Sequence, residues 1–92
     1  MELDPFRDME GLTIEGMRAL TSQGRHVGKL QLYPVGDRWA LVYSPPGKQL
    51  RRSLYLMGEK SRAPRLFAKV DTAVGVARTM IIPGIWVHFS PL

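Results

Sequence analysis

Two alternating runs joined by a turn cluster constrain this chain more than any other feature. Val27-Gly-Lys-Leu-Gln-Leu-Tyr33 places Leu30 and Leu32 on one face of an extended segment, with Lys29, Gln31 and Tyr33 on the other. Arg38-Trp-Ala-Leu-Val-Tyr43 alternates in the same way and groups Trp39, Leu41 and Tyr43. A period of two marks a half-buried strand. The intervening Pro34-Val35-Gly36-Asp37 is made of turn formers. Together they predict a β-hairpin.

The flanking segments extend this pattern. Leu12, Ile14, Met17 and Leu20 fit one side of a short helix over about 12–21, which Gly16 weakens and Gly24 can end. After the break at Ser44-Pro45-Pro46-Gly47, a third strand is expected over about 50–57. It has Leu50, Leu54 and Leu56 inward and Arg51, Ser53, Tyr55 and Met57 outward. Residues 58–64 read as a basic loop. A fourth strand follows over 65–70, with Leu66, Ala68 and Val70 inward and Arg65, Phe67 and Lys69 outward. Asp71 or Thr72 can cap a helix carrying Val74, Ala77, Met80 and Ile81 on its apolar stripe. Pro83-Gly84 stops that helix, and Ile85-Trp-Val-His-Phe89 reads as a last strand.

The expected fold class is therefore α+β. A small antiparallel β-sheet of four to five strands packs against one main α-helix, with a short N-terminal helix besides. Residues 1–24 read as an acidic N-terminal segment and residues 25–92 as a single sheet domain. Ninety-two residues suffice for one domain.

Composition narrows the chemistry. The chain has no cysteine, which removes disulfides, thiolate catalysis and cysteine zinc sites and fits a reducing cytoplasm. No apolar run approaches the length of a membrane span. Met1-Glu2-Leu3-Asp4 is acidic where a secretory signal is basic. These features predict a cytoplasmic protein without membrane contact. The two histidines, His26 and His88, have no carboxylate or hydroxyl at a catalytic spacing. No ligand-type residues fall at metal spacing, and no glycine run builds a phosphate loop. The expectation is a non-enzymatic protein without cofactor or metal.

Charge is the feature that points to a function. The net charge is +5, yet residues 1–15 hold five of the eight acids and only one base. The span from Lys48 to Lys69 holds seven bases and one acid, Glu59. If the third and fourth strands share a face, basic and aromatic side chains interleave on it. Cations displace counterions from phosphates, and aromatic faces stack on bases. The residues expected to contact DNA are Lys48, Arg51, Arg52, Tyr55, Lys60, Arg62, Arg65, Phe67 and Lys69. Two other readings of the segment are a docking surface for an acidic protein partner and a plain solvated face whose long stems cover the sheet. Trp39 is expected in the core. Trp86 is expected to face outward, where it would mark a homodimer seam or a recognition site. An open strand edge gives homodimerisation a route.

The runs Gly28–Tyr43 and Arg65–Arg78 resemble small plasmid- and mobile-element-encoded proteins of the ParC-type partition-associated family. The shared pattern is a hairpin with a Gly36-Asp37-x-Trp39 turn. A basic strand then ends in Phe67-x-x-Val70-Asp71-Thr72-Ala73 and opens a helix. The resemblance covers about residues 27–89 and implies a cytoplasmic accessory factor in plasmid maintenance or gene regulation. Its motifs are packing and capping positions and transfer no functional site. A three-stranded sheet backed by a helix also resembles, at the level of fold alone, the arm-binding domains of integrases and the plant AP2 domains, which read DNA with the sheet.

Overall fold

The structure is a computed structural model, and it describes residues 6, 7, 9–22, 28–45, 53–80, 82 and 84–91. The described residues form six strands and two helices, an α+β fold. In chain order they are β1 (Glu10–Leu12), α1 (Ile14–Thr21), β2 (Lys29–Val35), β3 (Arg38–Ser44), β4 (Leu54–Leu56), β5 (Leu66–Phe67), α2 (Val70–Ala77) and β6 (Ile85–Val87).

The hairpin sits at the centre of the sheet. β2 and β3 pair antiparallel from Lys29↔Ser44 to Val35↔Arg38, and Gly36-Asp37 forms a two-residue loop. Gly36 has φ +62 and Asp37 does not share a positive φ, the pattern of a type II′ turn. The turn is thus shorter than the expected four-residue cluster, because Pro34 lies within β2 opposite Trp39. The backbone groups of Pro34 face the β6 side, beyond the last β6 pairing at Leu32, so its missing N–H breaks no ladder bond.

The strand order is β1-β4-β3-β2-β6, with β5 also on β3. β3 is antiparallel to β2, β4 and β5, whereas β1–β4 and β2–β6 are parallel. Of the six described strands, five therefore run one way and β3 runs against them. The expected antiparallel pairing holds around β3 and is corrected at both sheet edges, where the sheet is mixed. The reason is connectivity. A tight turn or short loop reverses a strand, but a helical crossover returns the chain in its original direction. α1 links β1 to β2, and α2 links β5 to β6.

Both crossovers pack on one side of the sheet. The core on that side holds Met17 from α1, Leu30, Leu32, Leu41, Tyr43, Leu56 and Phe67 from the sheet, and Ala73, Ala77 and Met80 from or beside α2. Trp39 packs against this cluster in a half-buried position. Residues 10–22 are thereby woven into the sheet and core: the helix expected over about 12–21 is α1, and β1 precedes it. Thr13 caps α1 by accepting from the Gly16 amide at 3.2 Å. The Arg18 Nε donates to Thr79 Oγ1 at 3.0 Å, tying α1 to the end of α2.

α2 begins earlier than its sequence suggests. Its N-cap is Lys69, without a side-chain cap bond, and Asp71 lies in its first turn. Ile81, expected on its stripe, lies outside the described residues.

Gly28 precedes β2 where the chain passes close to β3. A Cβ there would run into the Ser44 carbonyl, and the Gly28 amide donates to the buried Tyr43 hydroxyl at 3.2 Å. Only glycine fits this approach.

The other face of the sheet is closed by side chains rather than helices. Ala40 and Val42 lie on that face and are buried. By register their neighbours there are Tyr33, Gln31, Tyr55 and Leu66. Phe6 sets its ring edge-on against Tyr55, centroids 5.1 Å apart.

Candidate nucleic-acid interface

The described residues include nine of the chain's Lys and Arg side chains: Arg7, Arg18, Lys29, Arg38, Lys60, Arg62, Arg65, Lys69 and Arg78. All nine are exposed, and among the described residues none forms an ion pair. Each keeps its charge available to an outside anion. The described acids are five, Glu10, Glu15, Asp37, Glu59 and Asp71, and they too are exposed.

The expected site is partly assembled and partly dispersed. Lys48, Arg51 and Arg52 lie outside the described residues, as does His26. β4 and β5 both pair with β3, but one after the other along the same side of it. They are thus two pieces of one interrupted strand, not neighbours. The chain leaves β3 after Leu56, makes an excursion closed by the Met57↔Pro64 bridge, and returns at Leu66. Lys60 and Arg62 stand on this excursion. Arg62 adopts φ +55, a left-handed conformation, and its amide donates to the Gly58 carbonyl at 3.2 Å.

The register of β5 reverses one expectation. Trp39↔Phe67 puts Phe67 on the helix side of the sheet, where it is 4% exposed. Leu66 takes the opposite face. Phe67 is therefore corrected from an outward stacking residue to a core residue, with its partner strand setting the phase of the alternation. Tyr55, paired with Val42, stays on the face away from the helices, half-buried under Phe6. Tyr55 and Phe67 cannot present one aromatic platform, because the sheet lies between them.

Arg38, Arg65 and Lys69 lie in or beside β3 and β5. The Arg65 guanidinium lies over the Phe67 ring, 5.0 Å from its centroid. The Trp39↔Phe67 register carries Arg38, at the start of β3, alongside the chain that leaves β5 towards Lys69. Arg38 projects from the face of Ala40 and Val42, whereas Arg65 stands over Phe67 on the helix side, so the sheet lies between these two cations. Arg38 escaped the sequence reading because it lies 27 residues before Arg65, within a hairpin judged by its apolar positions. The signal for it was available in its place beside the turn.

A polar string crosses the face opposite the helices. Gln31 Oε1 accepts from the Tyr33 hydroxyl at 2.9 Å and lies 2.8 Å from His88 Nε2. Gln31 Nε2 donates to Ser44 Oγ, which stands 3.2 Å from Ser53 Oγ. In this network His88 Nε2 carries a proton towards Gln31 Oε1, and the two serine hydroxyls share one hydrogen bond in which either can donate. Gln31 separates the imidazole from both serines. The string holds strands β6, β2, β3 and the approach to β4 in register and brings no base to a nucleophile.

Among the described residues, no group of three or more His, Asp or Glu side chains is placed to hold a metal ion. No helix formed by them is long and apolar enough to cross a membrane. Comparison with protein-family models, with curated proteins and with solved structures found no match.

Proposed function

We propose that this protein is a non-enzymatic nucleic-acid-binding factor that grips the phosphate backbone of DNA through its exposed cations. The observation that carries this reading is the nine exposed Lys and Arg side chains that form no ion pair among the described residues. Unpaired surface cations neutralise phosphates and release condensed counterions, an interaction that needs no sequence readout. Base stacking on a Tyr55–Phe67 platform plays no role in this binding mode, since those rings lie on opposite sides of the sheet. The resemblance of residues 28–43 and 65–78 to ParC-type proteins supports a place among accessory factors of mobile elements.

The splitting of Tyr55 from Phe67 favours a second reading, in which the same cations dock on an acidic protein surface such as that of a partition ATPase or a host enzyme. A salt titration with duplex DNA separates the two. Fluorescence anisotropy should show binding at low salt with a steep fall of log affinity against log salt. The combined variant R38A/R65A/K69A should lower the slope by about 0.9 for each phosphate left without its cation. Absence of binding to duplex DNA at low salt would sink the nucleic-acid reading and leave the acidic partner.

A further inference from the structure

The two edges of the sheet are protected differently. At one edge β1 carries the exposed carboxylate of Glu10. At the other, residues 85–89 (Ile-Trp-Val-His-Phe) contain no Lys, Arg, Asp, Glu or Pro. Charges, prolines and bulges are the usual guards against strand addition, and β6 has none of them.

The hydrogen-bond direction of this edge follows from the ladder. His88 N donates to the Leu32 carbonyl at 2.9 Å, and Trp86 pairs with Gln31 in the same parallel ladder. Trp86 and His88 therefore turn their backbone groups towards β2. Strand alternation turns those of Ile85 and Val87 outward, and Phe89 follows in the bend after β6. Among the described residues nothing pairs with that outer side. The side chains are as unprotected as the backbone: Trp86 is 61% exposed, Val87 38% and Phe89 93%.

We propose that a second copy of this chain adds to this edge, β6 against β6 in antiparallel register, with the two-fold axis at Val87. This register makes the strand complementary to itself. Val87 faces the Val87 of the second copy, Ile85 faces Phe89, and Trp86 faces His88. Ile85 and Val87 share the helix side by register with Leu30 and Leu32, and in the dimer the apolar Phe89 of the second copy meets Ile85 there. No like charges are opposed. A recess of about 190 Å³ lies on that side, lined by Val74, Ala77, Arg78, Ile82, Gly84 and Ile85. Phe89 of the second copy, standing opposite Ile85, is placed to enter it. The recess and the almost fully exposed phenyl ring are thus two halves of one interface. Dimerisation through β6 does not depend on nucleic-acid binding and survives the failure of that reading.

The test is sedimentation velocity over a concentration series, with folding monitored by circular dichroism. The wild-type chain should sediment as a dimer. V87K and V87E should each sediment as monomers, because each sets like charges together at the axis. Their equimolar mixture should recover the dimer. F89D, at an exposed position that leaves the fold intact, should raise the dimer Kd by at least about tenfold. V87P should also be monomeric, since it removes an outward amide and leaves the β2 ladder. A wild-type chain that stays monomeric throughout would overturn the proposal. So would V87K or F89D variants that remain dimeric with unchanged affinity, since the seam would then lie elsewhere.

Discussion

The imidazole of His88 lies flat on the phenol ring of Tyr33, with centroids 4.1 Å apart and planes 1° from parallel. Both side chains reach the same atom, Oε1 of Gln31. One glutamine thereby joins the end of the edge strand β6 to the central strand β2, on the face opposite α1 and α2.

His88→Ala should lower stability by about 1–2 kcal/mol, the sum of a ring stack and a hydrogen bond. Tyr33→Phe keeps the stack and loses only a hydroxyl, so about 0.5–1 kcal/mol is expected. Urea unfolding followed by tryptophan fluorescence measures both. Equal losses from the two variants would show that the stack contributes nothing.

Gly28→Ala and Gly36→Ala should differ in severity, and for different reasons. At Gly28 a methyl group meets the Ser44 backbone carbonyl, so β2 must move away from β3. A loss of at least about 2 kcal/mol is expected, in the range of overpacking. At Gly36 the space is open and the difficulty is only the positive φ. That costs about 1 kcal/mol. Thermal melts of the two variants should rank Gly28→Ala as the less stable.

Residues 10–22 should be indispensable to folding. Met17 is fully buried, and Met17→Ala should cost about 2–5 kcal/mol. A chain lacking residues 1–24 also loses β1, which exposes the β4 edge. It should give no cooperative unfolding transition. A cooperative melt from residues 25–92 alone would contradict a core that depends on α1.

Arg62→Gly should raise stability by roughly 1 kcal/mol, by relieving a left-handed φ in a residue that bears a Cβ. The same variant removes one cation from the excursion loop. A gain in melting temperature with a smaller salt slope for DNA would be read from one protein.

Local periodicity made the β2–β3 hairpin, the two helices, the last strand and the exposure of Trp86 legible in the sequence. Each depends on neighbours a few residues apart, and the alternation of Leu30, Leu32, Trp39, Leu41 and Tyr43 is long enough to assign a face. The count and exposure of the cations followed from the same source, since Lys and Arg heads stay in water.

Tertiary structure alone decided the rest. β5 has two residues, too few for alternation to choose a face, so its pairing with Trp39 put Phe67 in the core and left Arg65 above it. The direction of β1 and β6 depended on crossovers by α1 and α2, which no local pattern records. β4 and β5 became one interrupted strand because both compete for the same side of β3. The amino-acid sequence by itself determined which segments are extended, which are helical and how many cations the chain carries. The non-local pairing around β3 determined on which faces Arg38 and Arg65 stand, because register and strand direction depend on contacts between residues far apart in the chain.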